Sequence, residues 1–123
     1  MKTTELRKVL VIEDDLDTQA AIRFALQDLH QIHLRACSSA REGLQAGADY
    51  RADLLLLDVM MPEIDGPTVL AGLRQNEIHR DTPAIFLTSL VDPQDLRYYE
   101  SLGVAGVIPK PFDPLTLGDR IME

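Results

Sequence analysis

Acidic, hydroxyl and lysine side chains stand at the carboxyl ends of four apolar segments in this 123-residue sequence. Glu13 and Asp14 follow the first segment, Asp58 the third, Thr88 the fourth and Lys110 the fifth. Taken singly, each has an ordinary explanation, such as a solvated loop, a helix cap or a surface lysine. We favour a single site, because separate explanations would require several independent coincidences.

These residue types together are suited to phosphoryl transfer onto a carboxylate. Two carboxylates about 4 Å apart repel by about 4 kcal/mol at an effective dielectric constant of about 20, so three of them need a cation. Ligands that are all oxygen favour Mg²⁺ over Zn²⁺. With the metal bound, Asp58 can attack phosphorus as the covalent nucleophile, while Mg²⁺ and Lys110 neutralise the charge on the equatorial oxygens. The Thr88 hydroxyl can then donate to the bound phosphoryl group.

The histidines and the single cysteine do not extend this site. His30, His33 and His79 are not placed at the segment ends, so the sequence offers no zinc-type ligand set there. Cys37 lies within the second apolar segment and cannot form an internal disulfide. We interpret it as a core residue rather than a reactive thiol.

The elements that position these groups are five apolar segments with strand character, each followed by a helix signal. The predicted strands are residues 9–12, 33–37, 54–57, 84–87 and 105–108. Strands that alternate with helices close by right-handed crossovers into a parallel sheet with helices on both faces. Four consecutive leucines at 54–57 indicate a central strand, whereas residues 33–37 alternate like an edge strand. The prediction is a flavodoxin-like, doubly wound α/β fold of one domain, strand order 2-1-3-4-5, with its ligand site at the carboxyl ends of the strands.

Helix boundaries are predicted from apolar spacing and end signals. The first helix should bury Ile22, Ala25, Leu26 and Leu29, and the second should open with a capping box of Ser39 and Glu42. The last three should each open with a cap residue followed by proline: Gly66 and Pro67, Asp92 and Pro93, Asp113 and Pro114. The fourth should end at Gly103 and bury Leu96, Tyr99 and Leu102.

Charge and hydropathy exclude several classes of protein. The net charge is −8, from 12 basic and 20 acidic residues, and no basic stripe is present, so we expect no direct nucleic-acid binding. No apolar run approaches the roughly 20 residues of a membrane span. Residues 1–8 are polar and lack the apolar region of a signal peptide, so we expect a cytoplasmic protein with no membrane attachment.

Four blocks of the sequence resemble those of response regulator receiver domains, the phosphoacceptor modules of two-component systems. The blocks are VLVIEDD at 9–15, LDVMMPEIDG at 57–66, LTS at 87–89 and PKPF at 109–112. An acidic pair alone would be weak evidence, but the second and fourth blocks together are highly specific. The resemblance covers essentially the whole chain, which we interpret as one receiver domain over residues 6–123.

The resemblance implies a role for each site residue. Glu13 and Asp14 would be the acidic pair serving Mg²⁺, with Asp58 and the Met60 carbonyl oxygen as further metal ligands. Asp58 would be the phosphoacceptor, Thr88 the switch hydroxyl and Lys110 the phosphoryl-binding cation. The bond between Lys110 and Pro111 would be cis. The donor would be a phosphohistidine on a sensor histidine kinase or phosphotransfer protein, and the chain would catalyse only its own phosphorylation and dephosphorylation.

This sequence departs from the family pattern three residues before the lysine. Members commonly carry an aromatic residue or histidine there, whose ring rotates with the threonine, whereas this chain has Val107 at this second switch position. We expect the output to be carried mainly by reordering of the loop 89–93 and the following helix. Met60 and Leu90 flank the site and cannot hydrogen-bond an attacking water, which predicts a comparatively long-lived phosphorylated state.

The sequence leaves some alternatives open. A degenerate receiver acting as an interaction module would suit Val107 but not the intact set of site residues. A phosphatase with an aspartyl nucleophile would need a second acid at position 60, and no nucleotide-binding glycine motif follows any strand. The short fifth helix favours a receiver cut from a longer protein that carries an output domain. Leu115, Ile121 and Met122 are candidates for a docking or homodimer contact, although core packing explains most of them.

Overall fold

The computed structural model describes residues 7–26 and 32–122, over which five strands alternate with five α-helices. The strands are β1 (Lys8–Ile12), β2 (His33–Cys37), β3 (Leu54–Asp58), β4 (Ala84–Thr88) and β5 (Gly106–Pro109). The helices are α1 (Leu16–Leu26), α2 (Ala40–Gly47), α3 (Gly66–Arg74), α4 (Pro93–Ser101) and α5 (Pro114–Met122). A short 3-10 turn at Glu77–His79 precedes β4.

All the strands pair in parallel, in the order β2-β1-β3-β4-β5. This order confirms the predicted fold, and β2 is the edge strand that its alternating burial indicates. The fifth strand begins one residue later than predicted, at Gly106 rather than Ala105. The change is small, because Ala105 still donates its N–H to the Ala84 carbonyl at 2.7 Å.

The sheet separates two apolar clusters, because its central strands are buried on both faces. One cluster joins Leu55, Leu57 and Phe86 to α2, α3 and α4. The other joins Leu54, Leu56 and Leu87 to α1 and α5. The four leucines of β3 are fully buried, as the sequence predicts for a strand covered on both sides. Cys37 is also buried, as expected of a core residue.

The helices open at the predicted places, with corrections at Glu42 and Gly66. Ser39 caps α2 by accepting the Glu42 N–H at 3.1 Å, but the Glu42 carboxylate bonds Ser38 rather than Ser39. Gly66 was predicted to cap α3, but it is already the first helical residue. The cap is Asp65, whose side chain accepts the Thr68 N–H at 2.9 Å.

Helix α4 ends as predicted but is less buried than predicted. Gly103 has a φ of +76°, the left-handed conformation that glycine adopts most readily after a helix. Tyr99 is buried and Leu102 is partly buried, whereas Leu96 is 40% exposed, so the prediction for Leu96 is wrong. In α1, Ile22 and Leu26 are buried and Ala25 is partly buried. The predictions for Leu29 and His30 lie outside the described residues.

None of the described helices has both the length and the apolar character to cross a lipid bilayer.

Candidate functional site

The register of the sheet brings the predicted site residues to one edge. Ile12 pairs with Leu57, Asp58 with Leu87, and Thr88 with Pro109. The residues that follow β1, β3 and β5 therefore leave the sheet at the same level. Glu13 is held there by its backbone, since its N–H donates to the Cys37 carbonyl at 3.0 Å and its carbonyl accepts from the Gln19 amide at 2.8 Å.

Lys110 is the cation at the centre of this edge. Its Nζ lies 2.7 Å from Glu13 Oε1 and 3.1 Å from Asp58 Oδ1, so one ammonium serves two buried carboxylates. The Glu13 side chain is fully buried, and the Asp58 side chain is 4% exposed. The Lys110 side chain is 23% exposed, which leaves the site open to solvent on the lysine side. The bond between Lys110 and Pro111 is cis, as the family resemblance implies.

Asp14 completes a group of three carboxylates. One oxygen from each of Glu13, Asp14 and Asp58 lies within 4.8 Å of the other two. Asp14 is exposed, unlike its two neighbours, so the cluster has a buried floor and an accessible rim. Three negative groups at this spacing, with one ammonium beside them, form an oxygen-only set that can accept a divalent cation.

The buried carboxylates are electrostatically strained in the metal-free protein. Burial raises the pKa of Glu13 to about 7, although its hydrogen bond to Lys110 acts in the opposite direction. Burial also raises the pKa of Asp58, again against the influence of Lys110. Burial alone would lower the pKa of Lys110, but its bonds to Glu13 and Asp58 outweigh that effect and raise it. Additional positive charge beside these carboxylates, such as a divalent cation, would favour their ionised forms.

The loop after β3 wraps closely around Asp58. The Met60 N–H donates to Asp58 Oδ1 at 3.3 Å, and the Gly66 N–H donates to the Val59 carbonyl at 2.8 Å. Glu63 has a φ of +72°, a left-handed conformation that is uncommon outside glycine. The loop thereby returns to the strand end, and α3 begins against the backbone of Asp58.

Gly66 permits this close return, and sequence analysis assigned it the wrong role. A Cβ atom at position 66 would lie 2.5 Å from the Asp58 carbonyl oxygen and 2.9 Å from the Val59 Cα. Both are backbone atoms that cannot rotate away. The sequence signal was the glycine at the end of the LDVMMPEIDG block, which indicates close backbone approach as readily as it indicates a helix cap.

We expect Gly66→Ala to destabilise the protein by about 1–3 kcal/mol, because the added methyl must displace the backbone that carries Asp58. Chemical denaturation of the metal-free protein measures this change. The matched control is Gly106→Ala, since a Cβ at Gly106 meets nothing within 4 Å. Equal unfolding free energies for the two variants would show that the tight approach at Gly66 does not constrain the site.

Thr88 lies at the buried end of β4 and faces the loop that follows. Its hydroxyl oxygen accepts the Leu90 N–H at 3.0 Å, and the side chain is almost inaccessible to solvent. The adjoining Leu90 carbonyl accepts a hydrogen bond from the Tyr99 phenol at 3.1 Å. Burial raises the pKa of Tyr99, and a hydrogen bond with Thr88 acts against that shift. Val107 is half-buried and packs against the apolar cluster that contains Leu55, Leu57 and Phe86.

The structure thus brings Glu13, Asp14, Asp58 and Lys110 together and places Thr88 on the neighbouring strand end. His79 is buried away from them and bonds the Tyr50 carbonyl and the Thr82 hydroxyl. The metal-ligand role of the Met60 carbonyl and the switch role of Val107 remain predictions. The contact between Tyr99 and the Leu90 carbonyl was missed, because a tyrosine in a helix carries no sequence signal for such a partner.

Comparison with known proteins gives a consistent result over almost the whole chain. Residues 9–122 match the family model for the response regulator receiver domain. Among curated relatives, the chain is 34% identical to the transcriptional regulatory protein CpxR of Klebsiella pneumoniae over 94% of its own length and 48% of that protein. It is 33% identical to an uncharacterized 14.6 kDa protein of Leptolyngbya boryana over 95% of its own length and 88% of that protein.

A third relative is named as a probable cyclic di-GMP phosphodiesterase of Vibrio cholerae. The two sequences are 32% identical over 92% of this chain but only 25% of that protein. The chain thus spans a quarter to about half of several curated relatives that it matches.

Solved structures share the fold. The chemotaxis protein CheY4 of Vibrio cholerae superposes with a TM-score of 0.86 at 27% identity, covering 94% of this chain and 96% of that one. The receiver domain of the sensor histidine kinase PA1611 of Pseudomonas aeruginosa gives a TM-score of 0.81 at 25% identity, covering 94% and 93%. That receiver has a magnesium ion coordinated in its active site cleft.

Proposed function

This chain belongs to the response regulator receiver domain family, and we propose that it takes a phosphoryl group onto Asp58 in a Mg²⁺-dependent reaction and switches conformation to regulate an output. The observation that carries the proposal is the meeting of Glu13, Asp14, Asp58 and Lys110 at one sheet edge. We take the functional domain to be residues 6–123.

The residues present fit a magnesium ion. Three carboxylates within 4.8 Å supply only oxygen, and burial of two of them leaves negative charge that Lys110 alone does not balance. Glu13, Asp14, Asp58 and the Met60 carbonyl would hold the ion. When bound, Mg²⁺ supplies positive charge next to the equatorial oxygens of the transferring phosphoryl group.

The protein's own side chains then divide the reaction. An Asp58 carboxylate oxygen attacks phosphorus, the bond from phosphorus to the donor's histidine nitrogen breaks, and the imidazole leaves with that electron pair. The Lys110 ammonium, already 3.1 Å from Asp58, turns to the charge gathering on the phosphoryl oxygens. The Thr88 hydroxyl exchanges its contact with the Leu90 N–H for donation to a phosphoryl oxygen.

The partners follow from this chemistry. The donor is a sensor histidine kinase or a phosphotransfer protein, which can approach along an open cleft lined by Thr18, Ser89, Lys110 and Phe112. Several relatives are longer regulators, so the output is an attached domain, a separate target or a homodimer of this domain. We place the chain in the cytoplasm and expect it to catalyse only its own phosphorylation and dephosphorylation.

A degenerate receiver that is never phosphorylated is not favoured. Such a module has no need for Lys110 to bond two buried carboxylates, or for Asp14 to complete a metal-sized group of oxygens. Burial of the Glu13 and Asp58 carboxylates costs stability unless a cation balances their charge. Their presence together supports a site that is used.

The proposal is tested by intact-mass measurement after incubation with Mg²⁺ and acetyl phosphate. We expect one added phosphoryl group per chain, none when a chelator is present, and an adduct that maps to the peptide containing Asp58. Continuous release of phosphate with turnover would indicate an enzyme instead. The absence of any adduct, with the protein folded and Mg²⁺ bound, would support the degenerate module.

Mg²⁺ affinity should fall as the pH is lowered through about 7, because the metal requires ionised carboxylates and the pKa of Glu13 is about 7. The same raised pKa makes a contribution to metal-free stability that is fully present below the ordinary glutamate pKa of 4.5 and lost as pH rises through about 7. Added Mg²⁺ should therefore stabilise the fold most at high pH. Calorimetric titration between about pH 6 and pH 8 measures the affinity change.

The variant Glu13→Gln is the control for that measurement. It should bind Mg²⁺ more weakly at every pH and lose most of the dependence in this window. A wild-type affinity that is flat across the window would contradict the assignment of Glu13.

Replacing Met60 by asparagine should shorten the lifetime of the phosphorylated state several-fold. Met60 is 59% exposed beside Asp58, where an apolar side chain shields the acyl phosphate and an amide could orient an attacking water. The decay of the mass adduct after donor removal gives the rate. Leu115→Asn is the matched control, because Leu115 is 79% exposed in α5. Equal decay in the Met60 variant and the wild type would remove the shielding argument.

A further inference from the structure

Tyr99 is a buried tyrosine of α4 whose hydroxyl points back to the loop between β4 and α4. Its ring packs edge-on against Phe86 of β4, with centroids 5.3 Å apart and an interplanar angle of 82°. The residue is 2% exposed, so its hydroxyl needs a partner within the protein. The hydroxyl donates to the Leu90 carbonyl oxygen at 3.1 Å and also interacts with Thr88, which acts against the raised pKa of Tyr99.

The Leu90 residue is bound from both sides. Its N–H donates to the Thr88 hydroxyl at 3.0 Å, while its carbonyl accepts from Tyr99. Thr88, Leu90 and Tyr99 therefore form a continuous path from the end of β4 to the buried face of α4. Each hydrogen bond in the path is directional, so a change at one end alters the best position of the next group.

Strand β5 has no aromatic residue that could pack beside Phe86. Val107 pairs with Phe86 in the register of β4 and β5 and packs at the edge of the same apolar cluster. A valine has no polar group with which to follow Thr88. The aromatic ring that contacts Phe86 here is supplied by α4 instead.

We infer that Tyr99 is the positioning residue that couples the phosphorylation site to α4, through the Leu90 carbonyl. The inference rests on the proposed function. When Thr88 turns its hydroxyl to the phosphoryl group, the Leu90 N–H loses its present acceptor and the peptide between Ser89 and Leu90 reorients. The Leu90 carbonyl, on the next peptide, shifts with it. The Tyr99 phenol follows the Leu90 carbonyl, and α4 moves with the ring.

The test compares Tyr99→Phe with wild type in the presence of Mg²⁺ and beryllofluoride, which mimics a phosphoryl group on a carboxylate. Tyr99→Phe removes the hydroxyl and keeps the ring on Phe86. Amide chemical shifts report the active-site response at Asp58, Thr88 and Lys110 separately from the response of α4. Tyr98→Phe is the matched control, since Tyr98 is the neighbouring residue and is 52% exposed.

In Tyr99→Phe, we expect active-site shifts like those of wild type and a population of the shifted α4 state about fivefold lower, the effect of losing one hydrogen bond. Tyr98→Phe should respond like wild type. An unchanged α4 response in Tyr99→Phe would overturn the inference while leaving the proposed function intact. If the wild type shows no active-site response and no phosphoryl adduct, the proposed function itself fails.

A second measurement needs no variant for its outcome. The ring Cζ signal of Tyr99 in the wild-type protein should shift on addition of beryllofluoride, because the carbonyl that its hydroxyl bonds is reoriented. A purely structural tyrosine would keep its signal. An unmoved Tyr99 signal alongside shifted active-site amides would overturn the inference.

Discussion

Replacing Asp58 by asparagine is expected to abolish the phosphoryl adduct while leaving the fold intact. The amide has nearly the same shape and can still accept the Met60 N–H, but its oxygen is a poor nucleophile and carries no charge for the metal. Intact mass after incubation with Mg²⁺ and acetyl phosphate should therefore show only the unmodified chain.

The same substitution should leave the metal-free protein at least as stable as wild type, whereas a simple loss of contacts would destabilise it. Because burial raises the pKa of Asp58, its ionised form is disfavoured in the folded metal-free protein. Asp58→Asn should therefore unfold at an equal or higher temperature than wild type without Mg²⁺, and should gain less when Mg²⁺ is added.

Asp49→Asn is the matched control, because Asp49 is an exposed carboxylate after α2, away from the site. That variant should accept one phosphoryl group, as wild type does. A full adduct on Asp58→Asn would move the phosphoacceptor to another residue.

Replacing Lys110 by methionine is expected to have the second large effect, on both stability and chemistry. The variant retains the apolar stem but leaves Glu13 and Asp58 without the ammonium now 2.7 Å and 3.1 Å away. Removing one partner of a buried ion pair costs about 3–5 kcal/mol, and protonation of the carboxylates will offset part of that. Adduct formation should slow by about 100-fold or more, because a charge that stabilises the transition state is gone.

Denaturation with and without Mg²⁺ distinguishes this explanation from a packing defect. The metal should restore much of the stability lost in Lys110→Met, since it supplies the missing positive charge. The control Lys8→Met removes an exposed ammonium that lies 5.7 Å from the Tyr50 ring centroid, and should change stability little. A loss in Lys110→Met that Mg²⁺ and acid both fail to relieve would mean that the lysine acts mainly through packing.

The parts of the fold that were predictable are those written in consecutive residues. The leucines at 54–57 identify a central strand, because a segment covered on both faces must be apolar at every position. Parallel pairing then sets Asp58, Glu13 and Lys110 at one edge, whatever their separation in sequence. The residue types at the strand ends were therefore enough to predict most of the residues that form the site.

The features that escaped prediction depend on distances between elements. Apolar spacing placed Leu96 on the buried face of α4, yet the helix is oriented so that this side chain is 40% exposed. The sequence predicts a cap at Gly66, because the contact of Gly66 with the Asp58 backbone forms only when α3 packs against the strand end. The Tyr99 hydroxyl likewise finds a carbonyl nine residues earlier in the chain, across a loop whose path the sequence does not specify.

The sheet between the two apolar clusters also makes the packing on one of its faces largely independent of the packing on the other. Side chains of β3 alternate between the clusters, so no buried leucine of that strand belongs to both. Substitutions that reshape α4 and its loop need not propagate to α1 and α5. Mutations can therefore change the surface around α4, and with it the partner that is recognised, while the packing of α1 and α5 is retained.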